Sequence, residues 1–563
     1  MKSIKNYSFQ IFSLFLFLLI NIFFTQQLQR LDLFIFYIFF LIIYVAILYK
    51  FIKFPNTDIH ESEPKISLNI LCLLIYLPVV FITQNYDLNF EQITWDVASY
   101  LVASQDIGLG YIPFESSWES KGPLNYYVYH FLNLISFKSY IHFRLINDLV
   151  ILVIGLLIFN IINEKNNSFL VSFTSGLFFI GLVSKNWYVS EFSEIYCIFI
   201  LALCIKLKEK NSAKYIVTIS LLLSVNSLIN QGSIIFIIPF FWWIVSKNLQ
   251  EKNYKETSYF LTFLALPQII VMSIYYASGL LDIYLANYIT IPLKYSGKSQ
   301  STFRELFIWL KDFHAYSYFL VIALLVIFII IALENLTAIK NLFNDFYFQS
   351  LIISILYYFV GSHNFYHHLF YLVFFVCFFI YKIQSKDFKV LIMSLIIIGT
   401  CVITYNMLEK SYNNLKDLEA TQNNYPLYKL SEEIDSYFLD KSYSILAIDY
   451  VLVLHYLEKQ NYSYIIHPTN HFEDYIKDTL IELGYLNKNN LINLINQGPD
   501  VILCNDTLNI RGQKTIFSEF KCEELEKLDN YIRIETGKYY HDWNIELYKD
   551  RSKKMFVLIK NSK

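Results

Sequence analysis

The chain has 563 residues, 55% of them hydrophobic and only 16% charged, with a formal net charge of -2. Ordinary soluble domains carry roughly 25% charged residues, so most of this chain belongs in lipid. The near-neutral balance and the lack of a clustered basic surface exclude a nucleic-acid partner, which would need cations to neutralise phosphates.

Lys2 and Lys5 precede an apolar stretch that has the basic and apolar regions of a signal peptide. No small-residue cleavage site follows, so the stretch reads as a retained membrane helix. Apolar windows near the ~20 residues needed to span a bilayer then fall at 9–29, 31–50, 66–83, 143–163, 168–186, 191–206, 215–230, 232–246, 258–278, 316–334, 346–361, 367–382 and 389–408. With the N-terminus in the cytoplasm, these roughly thirteen spans leave about seventeen lysines and arginines inside and about nine outside, as the positive-inside rule requires. The segment 124–135 is too short to cross. Its Tyr126, Tyr127, Tyr129 and His130 suit a helix lying in the headgroup layer. The outer face then collects the loop 84–142, residues 187–194, Asn230-Gln231-Gly232, the loop 279–314 and residues 361–368.

Past residue 410 the composition turns polar. Residues 443–448, 464–466, 500–504 and 544–548 read as strands, and 450–460, 473–483 and 490–497 have helical spacing. The expected fold class is mainly α. A polytopic helical domain (1–409) carries the first outer loop (84–142), and a soluble α/β domain (410–563) sits on the periplasmic side. No Gly-rich phosphate loop occurs in the soluble domain, which reads as a lid or docking unit. Cys72, Cys197, Cys204, Cys377 and Cys401 lie in apolar segments, where a thiol behaves as a small hydrophobe. Cys504 and Cys522 are the two that could pair, and no pairing is assumed.

The loop 95–124 is the most informative stretch: a polar, acidic, Gly/Pro-punctuated segment between apolar spans. Asp96 follows Trp95 at the start of a helix marked by Val97, Leu101 and Ile107. A carboxylate there is placed to take a proton from an acceptor hydroxyl, or simply to favour the helix dipole. Downstream come Gly110-Tyr111-Ile112-Pro113-Phe114, Trp118-Glu119 and Lys121-Gly122-Pro123-Leu124.

This arrangement resembles the first outer loop of the GT-C membrane glycosyltransferases, in the glycosyltransferase family 39-like branch of protein O-mannosyltransferases and lipid A aminoarabinose transferases. Arg144-Leu145, Ser190-Glu191, Asn230-Gln231, the stretch from Gly279-Leu280-Leu281-Asp282 to Tyr295, and Phe365-Tyr366-His367-His368 continue the likeness over about residues 85–380. Two positions depart from it. Val97 stands where many relatives have a second acid, which weighs against tight metal binding, and Gly122 stands where many have proline.

The resemblance implies a GT-C fold in a bacterial cytoplasmic membrane. The implied donor is a polyprenyl-phosphate-linked sugar, transferred with inversion at the outer face to a lipid, protein or polysaccharide acceptor. It implies no cofactor. Asp96 is then the base. A phosphate leaving group needs cations and hydrogen-bond donors, and the candidates are Lys121, Lys294, Lys298, Arg304 and His367, with His368 beside it. Interfacial cations meeting lipid headgroups are the alternative reading for all but Lys121. Glu191 is the orienting or sugar-contacting acid; Glu194 caps the same span. Tyr111, Glu119, Gln231 and Tyr295 are further sugar or acceptor contacts. No metal site is expected, because adjacent His367 and His368 should face apart on a helix. The rival reading is a transporter or flippase of a lipid-linked glycan. It predicts ionisable groups near the midplane and internal repeats, and the sequence shows neither.

Overall fold

A computed structural model describes residues 65–91, 95–184, 191–210, 213–251, 254–296, 319–330, 345–361, 366–438, 441–488, 490–505, 522, 525, 530–534 and 555–561. The expected spans 9–29 and 31–50, the strand 544–548, Lys298 and Arg304 lie outside them. Where they are described, the other eleven apolar windows are helical, and five of the described helices are long and apolar enough to cross a membrane.

Helix α1 (Lys65–Asn85) leads to α2 (Trp95–Gly108) and α3 (Pro123–Ile135). These are followed by α4 (Tyr140–Asn166), α5 (Phe169–Val183), α6 (Ser193–Lys208) and α7 (Ala213–Ile229). The ends of α4 are set by local chemistry. Ser139 accepts from the backbone N–H of His142, and Asn167 takes the left-handed conformation that stops the helix. A 3-10 turn (Gln231–Phe236) opens α8 (Ile237–Glu251), and α9 (Lys255–Ala277) presents most of its surface outward. Short helices α10 (Leu281–Leu285) and α11 (Ile291–Ser296) follow, then α12 (Phe319–Ile330) and α13 (Phe346–Gly361). A 3-10 turn (Tyr366–Leu369) precedes α14 (Phe370–Val376).

The last membrane helix, α15 (Lys386–Lys416), has 31 residues. At 1.5 Å per residue it is ~46 Å long, well beyond the ~30 Å hydrocarbon layer, so it carries the chain out past the boundary. The polar residues after 410 are therefore still helical. Its end is tied to the end of α1: Ser411 Oγ donates to the Ile82 carbonyl at 2.5 Å, and Asn414 Nδ2 to the carbonyls of Asn85 (2.9 Å) and Tyr86 (3.1 Å). The loop after α1 and the C-terminal domain thus lie on one side of the helical layer.

That domain comprises α16 (Leu418–Asn423), α17 (Pro426–Phe438), β1 (Ile445–Ala447), α18 (Leu452–Tyr456), α19 (Asp474–Glu482), α20 (Asn490–Asn496), β2 (Val501–Asn505), β3 (Tyr531–Ile534) and β4 (Met555–Lys560). Its four-stranded sheet has the order β1-β2-β4-β3. The β1–β2 pair is parallel, with Ile445 opposite Val501, as a crossover through helices requires. β4 runs antiparallel to both β2 and β3. Residues 464–466, expected as a strand of this sheet, instead leave it, and Ile465 forms a parallel bridge with Trp118 of the loop. Cys504 and Cys522 form a disulfide.

One apolar core joins the loop to the domain. Val97, Tyr100, Leu101, Trp118 and Tyr129 pack with Tyr425, Leu427, Ile445, Leu452 and Ile465. The unit expected as a lid or docking domain is thus built onto the loop through a shared apolar core. Helix α3 packs against α2 and α7 and keeps Tyr127, Phe131 and Leu134 on its exposed side.

Candidate active site

Asp96 sits in the first turn of α2 with a side chain 34% exposed, facing His467 of the C-terminal domain. Tyr100, one turn on, donates its hydroxyl to Asp96 Oδ1 at 3.1 Å. His467 Nε2 stands 3.6 Å from the same oxygen. Burial works to raise the pKa of this carboxyl. The hydrogen bonding and charge of His467, then the charges of His367 and Lys121, outweigh it and hold Asp96 below the usual carboxylate range. Asp96 is ionised at any physiological pH.

Lys121 comes from the same loop, and its position is determined from three sides. Its backbone N–H donates to Glu119 Oε2 at 3.2 Å and to the Tyr126 hydroxyl oxygen at 3.1 Å, and its carbonyl accepts from Asn287 Nδ2 at 2.8 Å. Gly122 lets the loop backbone press against the end of α7, where a Cβ would lie 2.1 Å from the Leu228 carbonyl oxygen. A proline would carry the same Cβ, so the departure at this position follows from close backbone approach. The Lys121 ammonium lies 3.4 Å from Glu194 Oε1 and 5.8 Å from the centre of the Tyr100 ring. Burial disfavours the charged ammonium. The negative charges of Glu194, Asp96 and Glu119 outweigh that and bind its proton more tightly than in an ordinary lysine.

Glu194 is fully buried and also accepts from Asn230 Nδ2 at 2.8 Å. His367 and His368 each place Nε2 4.0 Å from Glu194 Oε1. The His367 ring stacks on Phe192 at 4.4 Å, and that of His368 meets Tyr357 edge-on at 5.2 Å. The two histidines therefore converge on one carboxylate. They were expected to face apart on an α-helix; they sit instead in a 3-10 turn, and both rings reach the same Glu194 oxygen. The Glu194 oxygen and one nitrogen of each ring all lie within 4.8 Å of one another, a donor set of the kind that binds divalent cations. A cation there would stand beside the Lys121 ammonium and be repelled by it, so the trio could hold one only with Lys121 swung away.

The remaining sequence candidates fall in different places. Glu191 lies in a separate buried network: Arg144 Nε donates to its Oε1 at 3.1 Å and the Tyr140 hydroxyl to its Oε2 at 3.1 Å. Arg144 reaches on to the Phe90 carbonyl at 2.9 Å and to Asp87 at 3.4 Å, so this network braces the loop. Glu119 is buried beneath Tyr126, which donates to it at 3.1 Å, and supports the Lys121 turn. Gln231 Nε2 donates to the Ser120 carbonyl at 3.0 Å and steadies the same turn. Lys294 reaches Thr479 Oγ1 of α19 at 2.9 Å, and Tyr295 lies beside Tyr475. Tyr111 occupies the exposed loop tip after Gly110.

Sequence reasoning placed Asp96 and Lys121 in the site, assigned Glu194 only to helix capping, and did not consider His467. The signal for Glu194 was a second acid three residues after Glu191. Only the break before α6 decides which of the two faces Lys121.

No protein-family model matches the chain, and no curated protein matches it by sequence. Solved structures do match. The crystal structure of ArnT from Cupriavidus metallidurans bound to undecaprenyl phosphate superposes with a TM-score of 0.53, covering 88% of this chain and 98% of that one at 8% identity. The chain has a GT-C-like fold. It is a multi-pass membrane protein, mainly helical with a small C-terminal mixed sheet. The crystal structure of the oligosaccharyltransferase from Archaeoglobus fulgidus, in complex with zinc and sulfate, aligns over 78% of this chain and 68% of that one at 11% identity. Its TM-score of 0.42 is too low to inform the comparison.

Proposed function

We propose that the protein is an inverting glycosyltransferase that moves a sugar from a polyprenyl-phosphate donor to an acceptor hydroxyl at the outer face of a bacterial cytoplasmic membrane. The observation that carries this reading is the convergence of Asp96 and Lys121, delivered by one extramembrane loop, on a pocket completed by Glu194, His367 and His368. The GT-C-like fold supports it, as does the undecaprenyl phosphate bound to ArnT.

In this reading the acceptor oxygen attacks the anomeric carbon from the side opposite the phosphate. The bond from that carbon to the phosphate oxygen breaks, its electron pair leaves with polyprenyl phosphate, and the hydroxyl proton passes to Asp96. Because Asp96 is a weak base, the transfer comes late, once bond formation has made the hydroxyl acidic. Lys121 meets the departing phosphate as a charge held in place beforehand, and Glu194 keeps it protonated and aimed. The two histidines add donors at the same end.

The disulfide between Cys504 and Cys522 favours an oxidising compartment for the C-terminal domain. The charge distribution of the spans agrees with that side. Helix α3, with Tyr127, Phe131 and Leu134 outward, then lies in the headgroup layer and borders the path by which the lipid enters.

Asp96→Asn tests the assignment. Purified variant protein should bind undecaprenyl-phosphate sugar as the wild type does and transfer none of it. Transfer at the wild-type rate removes Asp96 as the base.

A further inference from the structure

We infer that His467, a residue of the C-terminal domain, positions Asp96 for catalysis, so that this domain completes the catalytic centre. The inference rests on the function proposed above.

His467 precedes the 3-10 turn Pro468–His471 and caps it with its own ring: Nδ1 accepts the backbone N–H of Thr469 at 3.3 Å and lies 2.9 Å from the Thr469 hydroxyl oxygen. A backbone N–H can only donate, so Nδ1 must present its lone pair. A neutral ring then carries its proton on Nε2. Nε2 is the atom that faces Asp96 Oδ1, at 3.6 Å. The separation is slightly long for a hydrogen bond, as catalytic contacts commonly are before substrate closes the site. His467 is itself buried, and the Trp95 ring stands edge-on to it at 6.2 Å. Trp95 in turn donates Nε1 to Asp449 at 2.9 Å, tying the start of α2 to the end of β1.

The consequence for Asp96 is directional. Tyr100 and His467 both address Oδ1, and among the described residues no hydrogen bond is made to Oδ2. A hydrogen bond from Tyr100 and a nearby His467 N–H on the same oxygen orient the carboxylate and leave the other oxygen for an incoming hydroxyl. Tyr100, Lys121, His367 and His368 are the other titratable groups coupled to Asp96 among the described residues. None of them comes from the C-terminal domain, so His467 is that domain's contribution.

Two substitutions separate the ring's two roles. His467→Asn keeps an acceptor near the place of Nδ1 and so the cap on the turn, but removes the N–H that faces Asp96. His467→Gln sets an N–H near the place of Nε2. With a panel of synthetic undecaprenyl-phosphate hexoses and pentoses as donors and cell-envelope extract as acceptor, His467→Asn should lower kcat at least tenfold with the donor KM unchanged. His467→Gln should recover most of the rate.

Wild-type kcat in His467→Asn overturns the inference. Equal impairment of both variants also overturns it, since that is the signature of a structural cap. Asp96→Asn run alongside separates the two claims: if it transfers sugar normally the base assignment fails, whereas an inactive Asp96→Asn with a fully active His467→Asn sinks only the role of His467.

Discussion

Gly122→Ala is the sharpest perturbation of the pocket that alters none of its charged groups. The new Cβ would lie 2.1 Å from the Leu228 carbonyl oxygen, 2.7 Å from its carbonyl carbon and 3.1 Å from the Ile229 carbonyl oxygen. Ordinary contact needs about 3.5 Å, and all three obstacles are backbone at the end of α7, which cannot rotate away as a side chain would. The loop must retreat by about 1 Å, taking Lys121 with it. Overpacking of this kind destabilises by about 1–3 kcal/mol, and a 1 Å misplacement of a charged group at a reacting centre lowers the rate about 100-fold. Gly110→Ala is the control. It lies at the other end of the loop with φ +94° and nothing within 4 Å of the added carbon, so it strains the backbone by about 1 kcal/mol without moving Lys121. Thermal melts and single-turnover transfer rates on both variants give the comparison. Similar melting with a rate lost only in Gly122→Ala is the expected result. A Gly122→Ala enzyme within twofold of wild type, or a Gly110→Ala enzyme equally impaired, would refute the reasoning.

Removing the Lys121 charge with Lys121→Met should weaken donor binding and turnover together, since the ammonium meets phosphate before and during departure; undiminished turnover under saturating donor would remove it from the site. The C-terminal domain should be acid-labile. Burial pushes His455 down to about 4, and burial with the charge of His467 pushes His471 down to about 3. Both are neutral in the fold and take up a proton near pH 6.5 once unfolded. Stability is therefore complete above about pH 6.5 and falls as pH drops, by up to about 1.4 kcal/mol per pH unit for each histidine, levelling off below the folded values. Urea melts between pH 7 and 4 monitor this, and a flat profile would contradict it.

How much of this was legible in the sequence depends on the range of the interaction. Hydropathy marked every membrane helix among the described residues, because spanning is a local requirement on composition. Asp96 and Lys121 were legible because one loop carries both, with Gly122 and Pro123 marking the turn. β1 and β2 were found as short apolar runs. β3 and β4 were not, and β4, Met555–Lys560, is almost wholly buried, so it has no alternation to betray it. His467 was out of reach because its partner lies in another domain, and the two are brought into register by long-range contacts such as the bridge between Trp118 and Ile465 and the bond from Trp95 to Asp449. Lys294 was marked as a phosphate ligand by its charge, and its bond to Thr479 of another domain had no local signal. Glu191 and Glu194 could not be told apart without knowing that Arg144 claims the first.

The proposed function requires that the lipid-linked sugar be cleaved from its phosphate beside Asp96 and Lys121. Protein reconstituted in vesicles with a radiolabelled undecaprenyl-phosphate sugar and an envelope acceptor extract measures that directly. Stoichiometric release of undecaprenyl phosphate and appearance of label in the acceptor are expected. Label that changes leaflet while remaining on intact donor would contradict it and identify a flippase instead.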